Sequence, residues 1–169
     1  MSTSPDLPEG RALELPGRGT TFVRDVPGPA GAPTLLLLHG WTANSAVNWF
    51  GVFTPLSRHF RVVAIDQRGH GHGLIEAGAA LARFDSHVWL PEVDVPCAVV
   101  LTELDQTVPP NRQLQMVDAL RDVEVVPLRA GHDACAVRPV LFADAVVEAT
   151  TSVVERIALS GGTAAATRS

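Results

Sequence analysis

The sequence predicts an α/β fold built on a mostly parallel sheet, and three observations carry that prediction. Short apolar runs recur at Thr34–Leu38, Arg61–Ile65, 97–101 and Val123–Leu128, the pattern of strands buried on both faces of a parallel sheet. The stretches between them carry apolar residues at helical spacing, as right-handed strand–helix–strand crossovers require. The length of 169 residues predicts one domain, 1–169, with roughly 70% of the unfolded chain's surface buried on folding.

The elements follow in order. Residues 11–15 and 20–24 are strands around Pro16-Gly17-Arg18-Gly19, so 10–19 reads as a flexible or hairpin start. A turn-rich linker, 26–33, leads to the buried strand at Thr34–Leu38. Trp49, Val52, Phe53 and Leu56 then recur at helical spacing, with Ser45 placed to cap that helix. The next buried strand, Arg61–Ile65, ends at Asp66, and Leu74, Ala77, Leu81 and Phe84 mark a helix over 74–84. A third strand covers 97–101. Pro109 and Pro110 open a helix with a Leu114, Val117, Leu120 stripe. After the strand Val123–Leu128, a last helix begins near Pro139 and shows Phe142, Val146, Val153 and Ile157 on one face. Residues 160–169 read as a loose tail.

Composition excludes several classes. Apolar residues make up 46% and charged residues only 18%, with 14 Gly and 13 Pro, which is globular and turn-rich rather than disordered. The net charge of −5 and the absence of a basic run leave no electrostatic footprint for nucleic acid or an anionic membrane. No apolar run approaches the roughly 20 residues of a membrane helix, and residues 1–10 lack the basic start and apolar core of a signal peptide. Cys97 and Cys135 match neither a metal spacing nor a disulfide framework, so both are expected as packed thiols in a reducing cytoplasm. No glycine-rich phosphate loop follows the first buried strand. No cofactor is expected.

In open α/β sheets the chemistry sits at the carboxyl ends of the strands. Those ends read His39-Gly40-Trp41, then Asp66-Gln67-Arg68-Gly69-His70-Gly71, then Glu103-Leu104-Asp105 with Thr107-Val108-Pro109, and last Gly131-His132-Asp133. A carboxylate and a histidine on neighbouring strand-end loops are what a general base and its orienting group require.

These four segments, in this order, resemble the α/β-hydrolase family over roughly 20–158. The resemblance implies that His39, Gly40 and Trp41 form the oxyanion and substrate-binding loop, with the Trp41 N–H facing the substrate oxygen. It implies that Asp105 is the triad acid and His132 the triad base. Glu103 and Asp133 are near enough in sequence to compete for these roles.

One part of the family pattern is missing. Its nucleophile sits in a Gly-x-Ser-x-Gly elbow between the Asp-x-Arg-Gly turn and the acid, and no such elbow lies between Gly71 and Asp105. Relative to the family, the chain passes from just after Gly73 into the end of the cap region at about Leu74. Ser45, Ser86 and Cys135 lack the strained elbow that exposes a nucleophile, so no nucleophile is identified. His70 and His72 form a His-x-His pair near Asp66, but no further ligand stands at a useful spacing, so no metal is expected.

The expectation is therefore a shortened α/β-hydrolase core with an N-terminal hairpin and flanking helices. With the nucleophile strand gone, 34–38 and 97–101 are expected to pair directly, because a gap strands two rows of backbone donors and acceptors. The implied activity is hydrolysis of ester or related carbonyl bonds in small apolar molecules by a Ser-Asp-His route lacking its serine. The alternative is an inactive remnant or a module binding a small molecule or a protein. An exposed sheet edge is the expected route to self-association.

Overall fold

Gly10–Leu15 (β1) and Gly19–Val26 (β2) pair antiparallel from Gly10 opposite Arg24 to Leu15 opposite Gly19, which is the hairpin the sequence predicts. Gly17 and Gly19 hold positive φ at its turn, a conformation glycine adopts without steric cost. The computed structural model describes residues 7–17, 19–40, 43–67 and 84–166. They fall into two units, Met1–Phe84 with Cys135–Ala143, and Asp85–Ala134 with Asp144–Ser169.

In the first unit, Thr34–Leu38 (β3) and Arg61–Ile65 (β4) lie parallel, with Leu36 opposite Val63. β2 pairs antiparallel with β4, so the strand order is β1-β2-β4-β3. Two short helices, Ser45–Trp49 (α1) and Phe53–Ser57 (α2), connect β3 to β4. The apolar spacing predicts one helix here. The chain breaks at Gly51, where a side chain would press on Pro139. Asn44, not Ser45, caps α1, its Oδ1 accepting the Val47 N–H at 2.9 Å. Val52, Phe53, Leu56, Val62 and Ala64 are completely or almost completely enclosed. Gly28 runs so close to the Phe60 backbone that a Cβ would overlap it.

The apolar run of β3 is not buried on both faces as predicted. Leu37 is enclosed, but Leu36 and Leu38 are 55% and 52% exposed. The expected direct pairing of β3 with 97–101 is not made either, since the ladder partner of β3 is β4 alone among the described residues. Exposure explains why the edge can stay open: water satisfies the backbone groups that burial would orphan.

In the second unit, Cys97–Thr102 (β5) and Val123–Leu128 (β6) form a two-stranded parallel ladder, Cys97 opposite Val123 and Thr102 opposite Leu128. Pro127 lies within β6 and suits an edge strand, having no N–H for a further ladder. Leu90, in a 3-10 turn at Leu90–Glu92, is enclosed, as are Val99, Leu101, Val126 and Leu128. Pro110–Ala119 (α3) opens on Pro110 as predicted, but Leu114 is 44% exposed and Gln113 is the buried residue.

Ala134–Val137 (α4) precedes Pro139–Ala166 (α5). Ala143, Ala145 and Ala149 are enclosed on α5 whereas Ile157, predicted on its apolar face, is 53% exposed. α5 also runs to Ala166, where the sequence predicts a loose tail from 160. Arg156 ties α5 to β5, its guanidinium donating to Asp122 Oδ1 and to the Cys97 carbonyl. No helix among the described residues is long and apolar enough to cross a membrane. The predicted helix at 74–84 lies outside the described residues except for Phe84.

Candidate active site

The ladder of β5 and β6 continues past both strand ends. The Glu103 N–H donates to the Leu128 carbonyl at 3.0 Å, and the Leu104 N–H to the Ala130 carbonyl at 3.1 Å. The loop after β5 is thus held against the loop after β6. These loops carry Asp105 and His132, and His132 Nδ1 lies 3.0 Å from Asp105 Oδ2.

Asp105 is buried and densely bonded. Its Oδ1 accepts the Thr107 and Val108 N–H groups, each at 2.8 Å, and its Oδ2 accepts the Thr102 hydroxyl at 3.1 Å. An aspartate bonding the backbone two and three residues ahead makes an Asx-type turn, so the residue shapes the approach to α3 while it faces His132. Burial alone pushes its pKa up. The Val108 N–H, the His132 imidazole, the Thr107 N–H and the Thr102 hydroxyl outweigh burial, so Asp105 titrates below the ordinary aspartate value.

The carboxylate only accepts, so Nδ1 of neutral His132 carries the proton and Nε2 keeps its lone pair. The His132 side chain is 57% exposed. It lines an open groove of about 430 Å³ with Leu104, Gln106, Thr107, Gly131 and Asp133. The arrangement is a base on a surface groove, its Nε2 without a hydrogen-bond partner among the described residues, fixed from behind by a buried anion.

The strand-end loop of the first unit has its own network. His39 is 4% exposed. Its Nε2 accepts the Gln67 N–H at 2.7 Å, and its Nδ1 lies 2.9 Å from the Gly40 carbonyl. A backbone N–H can only donate, so Nε2 accepts and Nδ1–H donates. The Gln67 amide donates to the His39 carbonyl, and the Gly40 N–H is taken by Asn48 Oδ1 at 2.7 Å. Trp41, expected to carry the oxyanion N–H, lies outside the described residues. So do Arg68, Gly69, His70, Gly71 and His72.

The substitute nucleophiles are occupied or set in turns. Ser45 has no exposed surface. Its Oγ accepts from Arg24 at 2.9 Å, and its N–H donates to Asp66 Oδ1 at 2.8 Å. Cys135 Sγ accepts the Asn48 amide at 3.7 Å. The Ser86 carbonyl accepts the Trp89 and Leu90 N–H groups. Among the described residues, no serine or cysteine hydrogen-bonds His132. Sequence reasoning misses Gln113, whose amide bonds Thr102 and Val108 on either side of Asp105. A glutamine inside a helix gives no pattern by which to find it.

The alpha/beta hydrolase fold family model matches residues 33–79. A pimeloyl-[acyl-carrier protein] methyl ester esterase of Aeromonas salmonicida (strain A449) is 40% identical over 47 residues, 28% of this chain. The match spans only 18% of that relative's length. Among solved structures, the enol-lactonase from Burkholderia xenovorans LB400 superposes with a TM-score of 0.68 at 16% identity, covering 83% of this chain and 100% of that one. A bacterial membrane phospholipase A reaches a TM-score of 0.73 at 12% identity, covering 86% of each chain. Strand-end motifs, family model and solved structures agree on the fold: the chain has the α/β-hydrolase fold, and its residues 33–79 match that family's model.

Proposed function

We propose that this chain is an esterase-like hydrolase that keeps the acid–base half of a Ser-Asp-His site, with His132 as base and Asp105 as its orienting acid. The hydrogen bond between Asp105 Oδ2 and His132 Nδ1 carries the reading. His132 Nε2 takes a proton from water as the water oxygen bonds to the carbonyl carbon of a small apolar ester. The tetrahedral intermediate then expels the alcohol oxygen, which receives that proton from the imidazolium. No acyl-enzyme forms. The buried, bonded state of Ser45 and the engaged thiol of Cys135 support this non-covalent course. The activity named for the matched esterase supports the ester class. We also propose the cytoplasm as its compartment, which the free thiols of Cys97 and Cys135 support.

A second reading, a binding module without turnover, is favoured by the missing elbow between Gly71 and Asp105. Hydrolysis of p-nitrophenyl butyrate by the wild type and His132→Ala separates the two. General-base assistance is worth about 10²–10⁴-fold, so the variant is expected to fall to the buffer rate. Wild-type hydrolysis at the buffer rate, or hydrolysis unchanged by the substitution, favours the binding module.

A further inference from the structure

We infer that Gln113 is the positioning residue of the acid–base pair, setting the Asp105 carboxylate through two hydrogen-bonded arms; the inference rests on the proposed role of Asp105 and His132. Gln113 is the buried residue of α3, 8% exposed. A buried amide is destabilising unless its donors and acceptor are all met, and here they are. Its orientation is unambiguous. The Thr102 N–H, 2.9 Å away, can only donate, so the atom facing it is Oε1. The Val108 carbonyl, 2.7 Å away, can only accept, so the atom facing it is Nε2.

The second proton of Nε2 points to Thr102, with Oγ1 at 3.0 Å and the carbonyl at 3.2 Å. The Thr102 hydroxyl then accepts from Gln113 and has one proton to give. Its acceptors are Asp105 Oδ2 at 3.1 Å and Gln113 Oε1 at 3.2 Å. Oε1 already accepts the Thr102 N–H, and the ionised carboxylate is the stronger acceptor. The first arm therefore runs from Gln113 Nε2–H to Thr102 Oγ1–H to Asp105 Oδ2. The second runs through Val108, whose carbonyl is held by Gln113 while its N–H donates to Asp105 Oδ1. Each carboxylate oxygen is thus located by a group that Gln113 anchors. The carboxylate plane is fixed, and Oδ2 is presented to His132 Nδ1. Displacement of a catalytic group by about 1 Å can cost on the order of a hundredfold in rate.

The test reads the His132 ring rather than turnover. The full chain is labelled with ¹⁵N-histidine, and long-range ¹H–¹⁵N correlation reports which nitrogen of the neutral imidazole bears the proton. Wild type is expected as the Nδ1–H form. Gln113→Leu removes both arms, and Gln113→Glu replaces a donor with an acceptor facing the Val108 carbonyl. In both, loss of the Nδ1–H form as the dominant species is expected, with the ring reverting toward Nε2–H. Leu114→Ala, on the exposed neighbour in the same helix, is expected to leave the spectrum unchanged. Should the Gln113 variants fail to fold by far-UV circular dichroism, Thr102→Val removes the hydroxyl arm alone and carries the same expectation. A folded Gln113 or Thr102 variant that keeps a wild-type Nδ1–H signal overturns the inference and leaves the pair's role standing. A wild type found as Nε2–H overturns both.

Discussion

His132 Nδ1 and Asp105 Oδ2 meet at 3.0 Å across 27 residues of sequence, and two backbone hydrogen bonds beyond the ends of a parallel ladder bring them together. The pairing depends on β5 and β6 alone, so the absence of an elbow between β4 and β5 does not undo it. What is expected to vary with substitution is how firmly each side of the pair is held.

Asp105→Asn should destabilise the fold more than His132→Ala. The aspartate is buried under four hydrogen bonds, and bonds to a charged group are each worth about 1.5–3 kcal/mol. An asparagine must aim its NH₂ at one of those donors, so a loss of about 2 kcal/mol is expected. His132, more than half exposed, should cost under about 1 kcal/mol. Urea unfolding midpoints compare the two.

Acid should weaken the wild type more steeply than Asp105→Asn. The folded-state pKa of Asp105 is lowered, so the unfolded chain takes up the proton first as pH falls. Its contribution is complete above the ordinary aspartate value and is lost as pH descends through the lower folded value. Urea midpoints from neutral pH to below about pH 4, the ordinary aspartate range, should show a steeper fall for the wild type. Parallel curves would mean the carboxylate bonds do not favour the charged form.

Gly17→Ala should destabilise the N-terminal hairpin by about 1 kcal/mol. Gly17 sits at φ +69, and an alanine methyl there would meet nothing within 4 Å, so the loss is conformational rather than steric. Thermal melts measure it, and an unchanged midpoint would mean the turn relaxes freely.

The open edge of β3 should make the protein self-associate. Leu36 and Leu38 stand exposed on a strand with one ladder partner among the described residues, and lysine is a common guard of such edges. Light scattering should show mass rising with concentration in the wild type and flattening in Leu36→Lys. A wild type monomeric at all concentrations would contradict the expectation.

Much of this arrangement is legible in the sequence, for definite reasons. The runs at Thr34–Leu38 and Arg61–Ile65, and at 97–101 and Val123–Leu128, are separated by crossover-length segments, and both pairs are parallel. Asp105 and His132 follow their strands directly, so strand order alone brings their loops together. What is not legible depends on tertiary context. Continuous leucine cannot say that one face of β3 lies open, since Leu36 and Leu37 are chemically alike yet 55% and 6% exposed. Helical spacing from Trp49 to Leu56 does not register the interruption at Gly51 between α1 and α2. The buried face of α3 rests on Gln113, whose value lies in the direction of two N–H bonds, and no apolar pattern records direction.

The central claim, an acid and a base without a covalent nucleophile, is tested most directly by intact-mass spectrometry after exposure to a fluorophosphonate. The folded protein is expected to keep its unmodified mass, because no described serine or cysteine bonds His132 and Ser45 is fully enclosed. Stoichiometric labelling of one serine, lost in His132→Ala, would contradict it.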